Sequence, residues 1–210
     1  MGLFIDDNQT RKSIIHLLKK SGGMSIDELS KDISITPMGI RQHLLSLEKK
    51  GIVTYTAKKH GIGRPGFIYQ LTEAADELFP KSYGSFAIEV LRDIEKYDGK
   101  DKIDKIFRWR KERLLKSMKE ALSGKEDIDS IVNGLKNILE SEGHFVDLSR
   151  HNGSYHLKQY NCPINKIALE FKSVCKHELQ LYRDLTGKDI TKIQSLSEGD
   201  PSCTFVIPVA

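Results

Sequence analysis

Two helix starts near the N-terminus place the strongest constraint on how this chain can fold. Ser25 and Glu28 form a capping-box pattern, in which each side chain hydrogen-bonds the other residue's backbone N–H. Thr36 is a favourable N-cap, and Pro37 follows at the first helical position, where its missing N–H costs nothing. Only a short helix and the tight connection 33–35 fit between them. The pattern therefore predicts two helices joined by a turn.

The segments on either side extend this helix pair into a larger motif. An earlier apolar helix ends at Gly22 and Gly23, and the helix that starts at Pro37 carries an apolar stripe made of Ile40, Leu44 and Leu47. Two predicted strands then flank a basic, glycine-rich loop at 58–66, which is typical of a hairpin. Three helices and a basic hairpin predict a winged helix-turn-helix domain over residues 8–80.

Charge is distributed unevenly along the 210 residues. Residues 11–70 carry eleven Lys and Arg against four Asp and Glu, whereas the rest of the chain carries 22 against 25. A basic first third on a slightly acidic remainder favours nucleic acid binding at one end. Small charge asymmetries are common in other proteins, and some winged helices bind proteins rather than DNA. The charge distribution therefore favours DNA binding only in combination with the winged-helix motif.

The exposed face predicted for the third helix carries side chains that suit a DNA groove. Arg41 can pair bidentately with guanine and Gln42 with adenine, while Thr36 can offer its hydroxyl to a phosphate as well as cap the helix. His43 flanks the apolar stripe, which suits packing or phosphate contact better than base reading. Loop lysines would contact phosphates, and Arg64 would enter the minor groove. The predicted DNA-binding residues are Thr36, Met38, Gly39, Arg41, Gln42, His43, Ser46, Lys58, Lys59 and Arg64.

Residues 81–123 are predicted to form one long amphipathic helix, with a break near Gly99. Its apolar stripe is too long to be buried by a small winged domain, so it needs the C-terminal domain or another chain as a partner. We favour a linking and dimerisation helix, because duplex operators are commonly read by two-fold dimers. Packing within the chain is the alternative.

All three cysteines lie in the predicted domain 126–210, which mixes helices and strands. Asn152-Gly153 is a strong two-residue hairpin turn in this region. Cys162 opens a predicted amphipathic helix, with Cys175 late on the same helix. Cys203 begins a terminal strand. The predicted fold class is therefore α+β, with an N-terminal winged helix-turn-helix and a C-terminal α+β sensor domain.

Spacing alone leaves the chemistry of these cysteines open. Cys162 at a helix start should have a lowered pKa, which favours metal binding or nucleophilicity. Three thiolates and a histidine could bind zinc, and three thiolates with one non-cysteine ligand could bind an iron–sulfur cluster. Because there is no Cys-x-x-Cys motif, buried structural thiols fit as well. A thiol enzyme that pairs a cysteine with His156 or His177 is a further alternative.

Several function classes find no support in the sequence. No apolar run approaches the roughly 18 residues of a membrane span, and the N-terminus lacks the basic and apolar regions of a secretory signal. We therefore expect a cytoplasmic protein that does not bind membranes and whose thiols stay reduced. Paired catalytic carboxylates, a credible nucleotide loop and a Ser-His-Asp arrangement are all missing, so we expect a protein that is not an enzyme.

Several stretches of the chain follow the pattern of a known family of regulators. In the predicted winged helix these stretches are ITPMGIRQHL at 35–44, GIGRP at 61–65 and LFPKSYG at 78–84. In the cysteine region they are Cys162-Pro163, VCKHEL at 174–179 and GDPSC at 199–203. These stretches resemble the SufR-type repressors of iron–sulfur assembly operons, among the DeoR- and ArsR-like helix-turn-helix regulators, and the resemblance covers nearly the whole chain. Its specificity rests mostly on the cysteine region, because related regulators share the winged-helix motifs.

The resemblance implies a homodimeric winged-helix repressor that binds double-stranded operator DNA under the control of an iron–sulfur cluster. By resemblance Cys162, Cys175 and Cys203 are the cluster ligands, and a four-iron cluster is favoured over a two-iron cluster. In one departure, the place of the family's further cysteine falls at or next to Asp189. The candidate fourth ligands are then His156, His177 and Asp189, with an exogenous thiol as a further option. Zinc is the alternative metal.

Overall fold

A computed structural model describes residues 8–58 and 66–209 of the chain, without the side chain of Lys58. The chain forms two compact units, Met1–Lys81 and Ser82–Ala210. Both contain helices and antiparallel strands, so the predicted α+β class is confirmed.

The N-terminal unit has the element order of a winged helix-turn-helix. Its elements are α1 (Gln9–Ser21), α2 (Ile26–Ile33), α3 (Pro37–Lys49), β1 (Val53–Lys58), β2 (Gly66–Leu71) and a 3-10 helix (Glu73–Leu78). The predicted capping box is present, because Ser25 accepts a hydrogen bond from the Glu28 N–H and Glu28 accepts one from the Ser25 N–H. Thr36 caps α3 by accepting a hydrogen bond from the Gly39 N–H at 3.2 Å. These caps satisfy N–H groups that the first helical turns would otherwise leave unpaired.

The core of this unit fixes which face of α3 points outward. The predicted stripe of α3 is buried, and it packs in one cluster with apolar residues of the other two helices and β1, including Ile14, Leu18, Leu29 and Val53. The hairpin is tied to the helices at Met24, whose backbone exchanges hydrogen bonds of 3.0 and 2.8 Å with Tyr69. Gly23 permits this approach, since a Cβ there would lie 2.9 Å from side-chain atoms of Gln70 and Ile68.

The C-terminal unit packs helices against a four-stranded antiparallel sheet with the strand order β3-β4-β6-β5. Its elements are α4 (Tyr83–Asp98), α5 (Lys100–Ala121), α6 (Ile128–Ser141), β3 (Val146–His151), β4 (Ser154–Gln159), α7 (Asn165–Glu170), α8 (Ser173–Thr186), β5 (Thr191–Gln194) and β6 (Cys203–Pro208). The predicted hairpin turn is confirmed, because Asn152 and Gly153 both have positive φ, at 48° and 74°. One core cluster unites Met118 of α5, Leu135 of α6 and Tyr182 of α8 with Leu157 and Phe205 of the sheet.

The segment predicted as a long helix with a break near Gly99 forms two helices that belong to the C-terminal unit, and the predicted break is present. The chain breaks at Gly99, whose φ of 85° and ψ of 168° interrupt the helical path. On α5, Ile103 and Phe107 are buried against Phe171 and Val174. The stripe of α5 is therefore buried within the chain, which was the alternative to the favoured dimer contact. By contrast, no residue of the fully described α4 is buried.

The helix predicted from Cys162 through Cys175 is also divided. Phe171 leaves the helical conformation, with φ −112° and ψ 78°, and separates α7 from α8. Its ring is buried 6.4 Å from the ring of Phe107, so a contact distant in sequence fixes the break. As a result, Cys175 lies in the first turn of α8 rather than late on one helix.

Candidate functional site

The first turns of α3 present polar and apolar side chains to solvent on the face opposite its buried stripe. Met38 is 65% exposed, and Arg41 and Gln42 are exposed as well. His43 and Ser46 are half-buried at the edges of this face. A helix that is anchored on one side and exposed at its N-terminal end can present that end to base edges in a DNA groove.

Gly39 has a structural reason to be glycine. A Cβ at this position would lie 2.8 Å from Cγ2 of Ile35 and 3.4 Å from Oγ1 of Thr36. The side chain of Ile35 therefore occupies the space beside the first turn of α3. The turn into α3 requires a small residue here, independent of any contact with DNA.

The hairpin adds an aromatic surface that sequence reasoning missed. The rings of Tyr55 and Phe67 are exposed and lie 5.0 Å apart, and Tyr69 lies 5.6 Å from Tyr55. Burial raises the pKa of Tyr69, whereas the Arg41 guanidinium lowers it, so α3 and this surface are neighbours. Alternate aromatic residues on two paired strands were the available signal, but they also serve as ordinary strand formers. The predicted contacts Lys59 and Arg64 lie outside the described residues, as does the side chain of Lys58.

The structure brings the three cysteines of the C-terminal unit into one region. The Cys175 Sγ lies 3.7 Å from Oγ of Ser197, and the Cys203 Sγ accepts a hydrogen bond from the Leu196 N–H at 3.4 Å. Both thiols therefore contact one short 3-10 helix, Leu196–Glu198. Cys162 is close enough for both other cysteines to raise its pKa electrostatically.

The lowered pKa predicted for Cys162 is wrong for the free thiol. Burial is the main cause that raises its pKa to about 11, followed by the charge of Glu178. The Ile164 N–H opposes the shift by donating to the sulfur, but this contribution is smaller. Helix α7 begins only at Asn165 and has six residues, so its N-terminal dipole offers little compensation for lost hydration.

None of the three predicted fourth ligands lies beside the thiols. His156 pairs with Val206 on one face of the sheet, whereas Cys203 pairs with Gln159 on the other face. His177 Nε2 lies 2.9 Å from Oδ1 of Asp104 on α5. The Asp189 side chain is 88% exposed and lies 3.1 Å from Arg183.

Two charged residues that sequence reasoning missed do lie near the thiols. Burial raises the pKa of both Cys162 and Cys175, and the charge of Glu178, one helical turn after Cys175, adds to the rise in each. Burial raises the pKa of both Cys175 and Glu178, and the charge of Lys192 opposes both shifts. The buried Nζ of Lys192 lacks a hydrogen-bond partner among the described residues. The helical spacing of Cys175 and Glu178 was a usable signal, whereas the position of Lys192 depends on the sheet.

The described residues contain no preformed site for a single metal ion. Among the residues that the structure describes, no group of three or more His, Cys, Asp or Glu side chains is placed to hold one metal ion. Cys175 also lines a cavity of about 370 Å³ together with three lysines, Lys172, Lys176 and Lys192. Glu198 lines the cavity as well, so its lining carries a net positive charge.

Comparison with known proteins bears on the N-terminal unit. Residues 7–54 match a family model described as winged helix-turn-helix DNA-binding. No curated protein matches the chain. Within residues 8–58 and 66–209, no helix combines the length and apolar character needed to cross a membrane. The element order and this match identify the N-terminal unit as a winged helix-turn-helix domain.

Three solved structures show weak similarity. A cysteine-to-serine mutant of ZitR from Lactococcus lactis matches at 12% identity and a TM-score of 0.32, over 66% of this chain and 77% of that chain. Bacillus subtilis PadR in complex with operator DNA matches at 15% identity and a TM-score of 0.31, over 64% of this chain and 92% of that chain. A MarR family regulator from Neisseria meningitidis matches at 14% identity and a TM-score of 0.30, over 65% of this chain and 82% of that chain. These scores are too low to support an argument about function.

Proposed function

We propose that this chain is a transcriptional regulator that binds double-stranded operator DNA and is controlled by an iron–sulfur cluster. The exposed N-terminal face of α3 carries the DNA part of the proposal. The buried stripe holds the helix on one side, so Arg41 and Gln42 are free to enter a major groove about 12 Å wide. Arg41 would read guanine, Gln42 would read adenine, and the loop between β1 and β2 would contact phosphates.

A homodimer would form through α4. Tyr83, Val90 and Tyr97 recur at heptad spacing on this helix, and Phe86 adds an intervening position. All four are exposed, with Phe86 at 64% and Tyr97 at 75%. Exposed apolar side chains at this spacing suit packing against a second copy of the same helix. Two copies would place two α3 helices on half-sites about one DNA turn, roughly 34 Å, apart or a multiple of it.

Cys162, Cys175 and Cys203 would hold the cluster, which supplies an oxidation-sensitive group when bound. The three ligands lie before α7, in the first turn of α8 and at the start of β6. Ligation would therefore fix the positions of three separate elements. The connection continues to α4, because Glu170 of α7 forms two hydrogen bonds with Arg92 of α4, one of them 2.7 Å long. A shift of α7 would thus reach the proposed dimer helix.

Operator titration at controlled cluster content tests this proposal. A duplex is first selected from a random-sequence pool by binding to the protein. Its affinity is then measured against anaerobically cluster-loaded protein and cluster-free protein, with a scrambled duplex of equal composition as the control. We expect the two affinities for the selected duplex to differ by about 5- to 150-fold, a typical coupling between two sites. Equal affinities would overturn the regulatory part.

Metal analysis separates the proposal from the zinc alternative. Iron and sulfide that are lost when Cys162, Cys175 or Cys203 is replaced by serine would support the cluster. Colourless protein with one zinc per chain, whose C-terminal unit unfolds on chelation, would overturn it in favour of a structural metal. Colourless protein that fails reconstitution and holds no metal would also overturn it.

A further inference from the structure

A second cavity in the C-terminal unit combines an apolar wall with a few polar groups. Its volume is about 300 Å³, and none of the three cysteines lines it. The apolar wall consists of Leu114, Met118, Leu139, Ile164 and Leu181. An engineered cavity of about 150 Å³ holds one benzene ring, so this volume has room for a molecule of roughly twelve non-hydrogen atoms. Apolar walls with few polar groups are typical of binding sites for small molecules.

His144 lines this cavity at the connection between α6 and β3 and is only 8% exposed. Its backbone N–H donates to the carbonyl of Leu139 at 3.0 Å, and Nδ2 of Asn161 donates to the carbonyl of the preceding Gly143 at 2.7 Å. These bonds fix the connection, and the imidazole with it. The buried Nδ1 of His144 has no hydrogen-bond partner among the described residues. Buried polar atoms are nearly always hydrogen-bonded, so this nitrogen indicates a place where a ligand or a water molecule binds.

The protonation state of His144 defines which chemical group suits Nδ1. Burial lowers the pKa of His144, a backbone hydrogen bond with Asn161 opposes this shift, and the charge of Arg110 lowers the pKa further. The imidazole is therefore neutral at pH 7, with one nitrogen that donates and one that accepts. A hydroxyl group both donates and accepts, so it can pair with Nδ1 in either tautomer, whereas a carboxylate only accepts and an ammonium only donates.

The other polar groups of the cavity favour a neutral ligand over an ion. Arg110, Glu142, Glu178 and Tyr182 line it together with His144. Burial raises the pKa of Glu178, and the charges of Arg110 and Glu142 shift it in opposite directions, so these groups lie within electrostatic reach of one another. An anionic ligand would enter beside two carboxyl groups, and a cationic ligand would enter beside a guanidinium.

We propose that this cavity binds a small, neutral, largely apolar molecule whose hydroxyl group hydrogen-bonds Nδ1 of His144. The apolar body of the molecule packs against Met118, Leu139 and Leu181, which are buried side chains of α5, α6 and α8. The site requires neither a cluster nor DNA, so it stands or falls independently of the function proposed above.

Three probes with one ring system test the proposal on the full-length protein. 2-Indanol carries the hydroxyl group, 2-methylindane replaces it by a methyl group of similar size, and 2-indanecarboxylate replaces it by an anion. Isothermal titration calorimetry measures the three affinities. Nuclear magnetic resonance of isotope-labelled histidines shows whether the imidazole of His144 responds, and its signals are assigned by their loss in His144→Phe.

We expect 2-indanol to bind roughly 10-fold more tightly than either other probe, as one hydrogen bond to a buried group allows. It should also shift the imidazole signals of His144. His144→Phe should bind 2-indanol and 2-methylindane equally, because the phenyl ring cannot hydrogen-bond. His151→Phe is the matched control, since His151 is exposed at the end of β3 and does not line the cavity, and it should keep the preference.

A second variant keeps the test decisive if His144→Phe fails to fold, which circular dichroism shows. Leu114→Trp adds an indole to the half-buried wall and should abolish binding of both uncharged probes. Wild-type protein that binds none of the probes would overturn the proposal and leave a cavity that holds only water. Equal affinity for 2-indanol and 2-methylindane, tighter binding of 2-indanecarboxylate, or unchanged binding in Leu114→Trp would overturn it as well.

Discussion

Replacing Gly39 by alanine separates the packing of α3 from its contacts with DNA. The added Cβ would lie 2.8 Å from Cγ2 of Ile35. That methyl group sits on a branched Cβ with few alternative rotamers, so the crowding costs about 1–3 kcal/mol. Alanine offsets about 0.5–1 kcal/mol of this cost through its higher helix propensity and its less flexible unfolded chain. We expect Gly39→Ala to lower the free energy of unfolding by about 1 kcal/mol.

A double-mutant cycle in urea denaturation, followed by circular dichroism, checks this value. Ile35→Ala removes Cγ2, so Gly39→Ala should be neutral or stabilising in that background, with a coupling of about 1 kcal/mol or more. An equal cost in both backgrounds would refute the contact argument. The selected duplex gives a second check, because Gly39→Ala should keep its sequence preference. A changed preference at unchanged stability would mean that residue 39 touches bases.

Three further predictions concern the DNA surface, the thiols and the dimer. Arg41→Ala should cost about 1–3 kcal/mol on the selected duplex and little on the scrambled one; equal losses on both would show phosphate contact only. In cluster-free protein, alkylation of Cys162 followed by mass spectrometry should accelerate up to about pH 11, and a rate already saturated at pH 9 would contradict the buried thiol. Because the folded pKa lies above the unfolded value of 9.0, the stability contribution of this thiol is complete below pH 9 and is lost as the pH rises through about 11. Phe86→Glu should yield monomers in sedimentation velocity, whereas Glu89→Gln on the same helix should not; an unchanged state for Phe86→Glu would exclude α4 as the interface.

Local signals account for the parts of the fold that the sequence predicts well. The capping box of Ser25 and Glu28, the Thr36 cap and the Asn152-Gly153 turn each satisfy backbone groups within a few residues. Such features form in the same way whatever the rest of the chain does. The apolar stripe of α3 follows from the same local periodicity.

Contacts distant in sequence explain what the sequence left undecided. The break between α7 and α8 depends on Phe171 meeting Phe107 of α5, and nothing near Phe171 indicates that partner. The candidate site follows the same logic. Its three thiols could be named from their residue type and Glu178 from its helical spacing to Cys175, but Lys192 approaches them only once β5 is in place.

The position of β6 inside its sheet has a consequence for synthesis of the protein. β6 follows every other strand in chain order, yet it lies between β4 and β5 and pairs with both. On a ribosome, the β3–β4 hairpin can form early, whereas β5 has to wait without a partner until β6 emerges. Cys203 arrives with that final strand. An incomplete nascent chain therefore cannot assemble all three thiols, so loading of any metal or cluster at this site is confined to chains whose sheet has closed.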